Sequence, residues 1–364
     1  MKKNKPVVDS STSPQGSALV ALAAPSRIPH RIACLIAALV FPLIWIGALV
    51  TTYDAGMAVP DWPGTYGYNM FLYPLETWLF GPFNLLIEHG HRLLASIAGL
   101  VTIGLVVATF RLEKKRALCW FSAGLLLLII LQGALGGFRV LFDARTIAKI
   151  HGCVGPAFFA SVVAFCVVSS RWWYDRRNDC CSEVRSVSLT WFAGMMLGAS
   201  YLQLCVGAFI RHVGLDVNPR YFSHLVLMHI GLALLIVLGT FYHWFRCRAR
   251  ALASSGIRTS INILAGLILI QFTLGLATWV MKYGWPAWFE SQLWAASFVI
   301  IQKSMTQANI VTAHSATGSL VLAFWMVQFL RCLRVFGWKR TETGDRVVTP
   351  GNPRKGKTKT AMPV

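Results

Sequence analysis

Apolar and polar residues are sorted into long blocks along this chain. Eight apolar blocks fall at 31–51, 83–110, 117–138, 147–169, 188–210, 221–243, 261–281 and 308–330. Each is long enough, at about 20 residues, to cross a hydrocarbon layer of about 30 Å as a helix. The blocks do not alternate with a period of two, which excludes a transmembrane barrel. Only helices then satisfy the backbone in lipid. The pattern predicts an all-α membrane protein with eight transmembrane helices.

Composition narrows this further. Of the 364 residues, 55% are hydrophobic and only 13% charged, against roughly 25% charged in soluble proteins. A soluble globule with so little charge would expose large apolar patches, so a soluble enzyme and a disordered protein are both excluded. The net charge of +20 raises nucleic-acid binding, but its placement argues against it. The basic residues concentrate in the N-terminal tail, in alternate loops and in the C-terminal tail, which puts 26 of 34 on one side. That asymmetry predicts a multi-pass protein of the cell (inner) membrane with both termini cytoplasmic, its basic face against anionic lipid and no nucleic-acid partner. The first span serves as its own insertion signal. Residues 1–30 and 333–364 read as cytoplasmic tails, the second disordered. None of the nine cysteines falls in a predicted external loop. Cys180 and Cys181 sit together in a cytoplasmic loop, and no disulfide framework is visible.

An internal repeat organises the spans. The third, fifth and seventh carry L-Q-G-A-L-G (131–136), L-Q-L-C-V-G (202–207) and I-Q-F-T-L-G (270–275). Each sets a Gln four residues before a Gly, on one helix face: Gln132 and Gly136, Gln203 and Gly207, Gln271 and Gly275. The first span keeps Gly47 but has Leu43 in the Gln position. The second, fourth, sixth and eighth spans each carry a histidine near the external end, His91, His151, His229 and His314. A small residue follows four positions later: Ala95, Gly155, Ala233 and Gly318. His224 has Met228 in that position, so His229 is preferred. An odd span, an external loop and an even span recur four times. This predicts two pseudo-symmetric four-helix bundles, over residues 31–170 and 188–332, joined by a cytoplasmic linker at 171–187.

Four histidines at matched depth point to a chemistry. Buried histidine is expensive in lipid and is by default functional, and neutral imidazole is a common metal ligand. Paired within halves, His91 with His151 and His229 with His314, they predict two bis-histidine haem sites near the external surface. The small residue after each ligand leaves room for a flat porphyrin. A non-haem metal centre is disfavoured because carboxylates are so few.

The halves differ. The second span reads E-H-G-H-R at 88–92. Glu88 shares a face with His91, Arg92 lies about 40° from Glu88, and His89 about 160° from His91. Glu88 is the one carboxylate well inside a predicted span, so it is read as a proton-handling catalytic group. The plain alternative is a Glu88–Arg92 pair that stabilises the helix. Arg92, Arg139 and Arg211 are candidate cofactor-binding residues. Arg139 and Arg211, just past the Gln–Gly motifs, suit haem propionates or simple interfacial snorkelling. The Gln residues read first as interhelical hydrogen bonds. The loop 51–82 is acidic, without Lys or Arg, and carries D-W-P-G-T-Y-G-Y (61–68). Its aromatics suit an interfacial lid. The 282–306 loop, with Trp285, Trp288 and Trp294, is its counterpart.

These motifs resemble the haem A synthase family of eight-helix membrane proteins. A-G-M-A-V-P-D-W-P (55–63), E-H-G-H-R (88–92) and the later His151, His229 and His314 carry the resemblance. It implies oxidation of the ring methyl of haem O to the formyl of haem A by successive hydroxylations and loss of water. It further implies haem O as substrate between His91 and His151, haem B between His229 and His314, and Glu88 as catalytic carboxylate. Some members carry a cysteine pair in the first external loop; this chain has none there. With no flavin or iron–sulfur motif, electrons come from an external donor. Haem O synthase and oxidase assembly factors are the implied partners. A different class is a di-haem, quinol-linked electron carrier without haem modification. A third is a scaffold that uses the histidines for helix contacts.

Overall fold

A computed structural model describes residues 26–175, 187–214, 217–249, 255–289, 292 and 297–338. Most of both tails, most of the 171–187 linker with Cys180 and Cys181, and Trp294 lie outside the described residues. Among the described residues, eight helices are long and apolar enough to cross a membrane, which fits a multi-pass membrane protein. They are α1 (Arg27–Thr52), α2 (Phe83–Leu112), α3 (Arg116–Leu141), α4 (Arg145–Val168), α5 (Val187–Arg211), α6 (Pro219–Ala249), α7 (Ser255–Tyr283) and α8 (Met305–Phe336). Among the described residues there is no strand, only an isolated bridge between Thr65 and Tyr68.

The helices outrun the apolar blocks. α6 continues six residues past the expected end at 243, through Arg246 and Arg248. Arginine is a good helix former, and its charge favours a helix C-terminus. Caps set other limits. Ser26 opens α1 by accepting from the Ile28 amide at 3.3 Å, and Ser304 opens α8 by accepting from Gln307 at 3.3 Å. Gly337, at φ +75°, ends α8 in a conformation that favours glycine. Inside the spans, Thr102, Thr109 and Thr240 each donate to the carbonyl four residues back at 2.7 Å. Their hydroxyls are thereby satisfied where no water reaches.

Packing follows chain order. α1 packs on α2, α2 on α3, α3 on α4, and α4 returns to α1. α5 packs on α6, α6 on α7, α7 on α8, and α8 returns to α5. The two sets meet where α8 touches α4 and α1 and where α4 touches α5. α4 and α8 are therefore the inner helices, with 44% and 56% of their apolar windows buried against 11–22% in the others. One core gathers Ile36, Leu105, Leu125, Phe158 and Phe165. The other gathers Met196, Ile236, Ile261, Leu264 and Trp325. Leu100, Trp120, Leu127 and Leu238 stay exposed, as side chains facing lipid would. Odd helices finish, and even helices begin, at the same end. This loop end carries residues 53–82 and the described residues of the second long loop, 284–289, 292 and 297–304.

Candidate functional site

The four histidines lie near the loop end, and each rests on a glycine of the preceding odd helix. A Cβ on Gly47 would stand 2.9 Å from Cε1 of His91. The corresponding distances are 3.1 Å for Gly136 and His151, 3.2 Å for Gly207 and His229, and 3.2 Å for Gly275 and His314. Any side chain there would push the imidazole away, so glycine permits the approach. The Gln of each motif ties down the next helix. Gln132, Gln203 and Gln271 donate from Nε2 to the backbone carbonyls of His151, His229 and His314 at 3.0, 2.9 and 3.1 Å. The reading of Gln as an interhelical hydrogen-bond donor agrees with this geometry.

Two of the small residues that follow the histidines, Gly155 and Gly318, lie against glutamines of the preceding helix. A Cβ on Gly155 would come within 3.1 Å of the Gln132 amide, and one on Gly318 within 3.3 Å of the Gln271 amide. Glycine is there needed to admit the glutamine side chain. The sequence pattern found both residues of the pair but not that they meet each other.

His151 Nδ1 donates to the Gln132 carbonyl at 3.2 Å. A carbonyl only accepts, so Nδ1 carries the proton and Nε2 keeps its lone pair, faced by the Gln132 amide at 3.5 Å. The buried Nδ1 atoms of His91, His229 and His314 make no hydrogen bond of good geometry, though each ring faces the backbone of the preceding helix, at Leu43, Gln203 and Gln271. The ring centres of His229 and His314 are 6.3 Å apart with planes at 73°. A metal between two imidazoles, bonded to each at about 2 Å, needs ring centres about 6 Å apart. His91 and His151 lie within reach of each other's charge. Among the described residues, no three of His, Cys, Asp and Glu gather around one point as a metal-ion cage. Paired imidazoles on glycine seats therefore fit the two axial bonds of a haem iron.

A loop is held on α2 next to the His91–His151 pair. Glu88 is 1% exposed. Its Oε2 accepts from the Val59 amide at 2.9 Å and its Oε1 from Arg92 Nη2 at 2.9 Å. Arg92 also donates to the carbonyls of Val59 at 2.7 Å, Asp61 at 2.7 Å and Gly64 at 3.1 Å. Both Glu88 and Arg92 thus clamp the 55–68 loop, and the helix-pair alternative is present within a larger tertiary clamp. The Asp61 carboxylate accepts from Tyr66 N at 2.8 Å and Gly67 N at 3.0 Å. Burial acts to raise the Asp61 pKa, but those two amides and Arg92 outweigh it, so the carboxyl sits below its ordinary value. The indole of Trp62 occupies the space above Gly137. His89 faces away from the ligands, against Thr65 Oγ1 at 3.2 Å and the rings of Tyr73 and Trp78.

The remaining arginines divide. The Arg139 guanidinium packs on Gly56 of the loop, and its charge reaches His91, His151 and Glu88. Arg211 Nη1 donates to Ser315 Oγ at 2.5 Å, and Nη2 to the Ala48 carbonyl at 2.5 Å and Thr52 Oγ1 at 2.6 Å. It therefore joins α5 to α1 and α8 beside His314. His224 is exposed and turned to its own helix at Arg220. The sequence reading passed over His243, which is fully buried. It stands 3.0 Å from the amide of Gln328 and stacks on Phe192 at 5.5 Å. His243 and Gln328 follow His229 and His314 by 14 residues each, a spacing that could have revealed them.

The fold and site define an eight-helix membrane protein with two histidine pairs at one end. The COX15-CtaA family model, described as cytochrome oxidase assembly protein, matches residues 30–221, and the chain belongs to that family. The match takes in Glu88, His91 and His151. Three relatives are each named haem A synthase. The one from Shouchella clausii is 29% identical over 171 residues, 46% of this chain and 53% of its own. The one from an Exiguobacterium species is 25% identical over 260 residues, 66% of this chain and 78% of its own. The one from Lysinibacillus sphaericus is 29% identical over 169 residues, 46% of this chain and 52% of its own. The chain thus spans about half the length of two of these relatives.

Proposed function

We propose that the protein is a haem A synthase, a membrane oxidoreductase that converts the ring methyl of haem O to the formyl of haem A for terminal oxidase assembly. The observation that carries this reading is the fourfold glycine-seated histidine, with a buried carboxylate one turn before His91 on α2 and no Asp or Glu on the helices of His151, His229 and His314. Helix packing supports two pseudo-symmetric four-helix bundles, residues 31–170 for the substrate and 188–332 for a resident cofactor. His91 and His151 hold haem O, and His229 and His314 hold haem B. Haem B supplies one-electron transfer when bound, drawing on an external donor. The loop end faces outward from the cell membrane and both termini are cytoplasmic. Haem O synthase and oxidase assembly factors are the expected neighbours.

The chain's own residues set the conditions for that chemistry. Gly47, Gly136, Gly207 and Gly275 fix how closely the imidazoles approach. Gln132 holds the α4 backbone while its carbonyl keeps the His151 proton on Nδ1. The 55–68 loop covers the substrate half and excludes water from it. Glu88, one turn before His91 on α2, is the group able to take or give a proton in this half, and its present partners are Arg92 and the Val59 amide. Arg139 and Arg211 supply positive charge for carboxylates of the two haems.

The test is expression with a haem O source, followed by extraction and chromatography of the haems. Haem A that depends on this protein is the expected result. Two tightly held haems with no formyl product would replace the reading with that of an electron carrier.

A further inference from the structure

Cations are sparse at the loop end, so those present call for an explanation. Four half-buried basic side chains stand in one stretch there: Arg139 at the end of α3, Lys149 in the first turns of α4, Arg211 at the end of α5 and His212 just after it. His212 is the centre. The charges of Arg211, Lys149 and Arg139 all reach it, and it is in turn felt at His151. Its Nδ1 donates to the Ala208 carbonyl at 3.0 Å, which leaves Nε2 with its lone pair. Burial first, and then the three neighbouring cations, disfavour the protonated ring, so His212 takes up a proton only together with an anion. Lys149 lies over the ring of Phe209 at 5.4 Å, across the close contact where a Gly152 Cβ would meet Ala208 at 4.0 Å. Arg139 reaches the His91 and His151 end of the strip, and Arg211 the His314 end.

Among the described residues, no carboxylate forms an ion pair with any of these four. The carboxylate that Arg139 feels, Glu88, is already held by Arg92 and Val59. Gathering like charges at a membrane boundary is unfavourable unless an anion joins them. The two histidine pairs flank the strip, and each haem carries two carboxylates.

We propose that Lys149 and His212 complete a single carboxylate-binding strip between Arg139 and Arg211, shared by the propionates of both haems across the α4–α5 contact. This rests on the haem-handling reading above and extends it. The two cofactor sites then present their acidic edges to one set of cations, which brings those edges together at the junction of the halves. His212, between the two arginines, serves both sites.

The experiment uses full-length protein in lipid nanodiscs, titrated with haem B and with haem B dimethyl ester, whose carboxylates are capped. His229→Ala protein reports the α1–α4 site and His91→Ala protein the α5–α8 site. The expected result is that the free acid binds at least about tenfold tighter than the ester in each background. His212→Gln removes most of that preference in both backgrounds and Lys149→Gln in the first, with ester binding unchanged. Lost preference in one background alone after His212→Gln would overturn the sharing. Unchanged preference, or equal loss of acid and ester, would overturn the strip while haem binding itself survived. Failure of the parent protein to bind either form would bring down the haem-handling reading as well. Polyglutamate that binds these cations without displacing haem carboxylates would assign the strip to an acidic protein and overturn the inference.

Discussion

Glu88 and the Val59 amide are joined at 2.9 Å across 29 residues of chain. Through this bond a carboxylate on α2 holds the loop above it. The same carboxylate is the candidate proton carrier, so its two roles need separating. Glu88→Gln keeps an acceptor for Val59 N but loses the charge-assisted bond to Arg92, which is worth about 1.5–3 kcal/mol. If Glu88 handles protons, haem A per mole of folded, haem B-loaded protein falls by about 10²–10⁴-fold, while hydrogen exchange in 58–65 rises only modestly. If it only clamps, exchange rises and conversion per folded molecule stays near the parent level. Arg92→Gln provides the contrast. It loses three loop carbonyls together with Glu88, so it should open the loop more than Glu88→Gln does.

The glycine seats predict a graded response. An alanine Cβ at position 47 meets the His91 ring at 2.9 Å, and at position 207 the His229 ring at 3.2 Å. The first distance requires the ring to shift; the second requires it to give by a few tenths of an ångström. Gly47→Ala should therefore weaken haem binding at its site strongly, and Gly207→Ala should broaden or shift the low-spin spectrum while retaining haem B. Gly99→Ala, where nothing lies within 4 Å, should leave both spectra unchanged. A spectrum unaffected by Gly47→Ala would mean that the imidazole does not sit against α1.

The apolar blocks made the eight helices legible, because in lipid a long apolar run has few alternatives. The Gln–Gly and His–small repeats made the contacts between neighbouring helices legible for the same reason, since the periodicity that buries them also marks them. What the sequence hid lies in contacts between distant segments. Val59 and Glu88 carry no mutual signal, and Arg92 looked like a helix partner when most of its bonds go to loop carbonyls. Gly155 was read only as porphyrin space; its contact with Gln132 across the interface cannot be seen from helical spacing. His243 was missed because one histidine in a polar helix end is unremarkable until Gln328 is seen 3.0 Å away.

The Asp61 turn carries a pH signature. Its carboxyl pKa is lowered from the ordinary 3.8, so the folded turn favours the ionised form. That contribution is present above about pH 4 and is lost as pH falls through 3.8 and then through the lower folded value. Loop protection at 61–68 should hold at neutral pH and decline below about pH 4, with Asp61→Asn already lowered at neutral pH and insensitive to acid. Hydrogen exchange across that range reads this out. A parent loop that opens near pH 6 would place the transition on another group.

The Gln residues can be tested against the chain's own exception. Gln203 donates to the His229 carbonyl at 2.9 Å, and Gln271 does the same for His314 at 3.1 Å. At the matching position of α1 stands Leu43, yet His91 still reaches Gly47. The amide bond is therefore not what seats the imidazole; it ties one helix backbone to the next. Gln203→Leu imitates α1 and should keep haem B with a near-parent spectrum. Helix association should weaken by about 0.6 kcal/mol, the mean for such bonds within membranes, and the protein should unfold at slightly lower temperature. Gln132→Leu should behave differently in one respect. The Gln132 side chain also stands 3.5 Å from His151 Nε2, so its removal takes away a competitor for that lone pair. Substrate-site haem affinity should hold or rise while thermal stability falls. Loss of haem from both variants would show that the glutamines fix the ligands directly and that Leu43 marks a site built on a different principle.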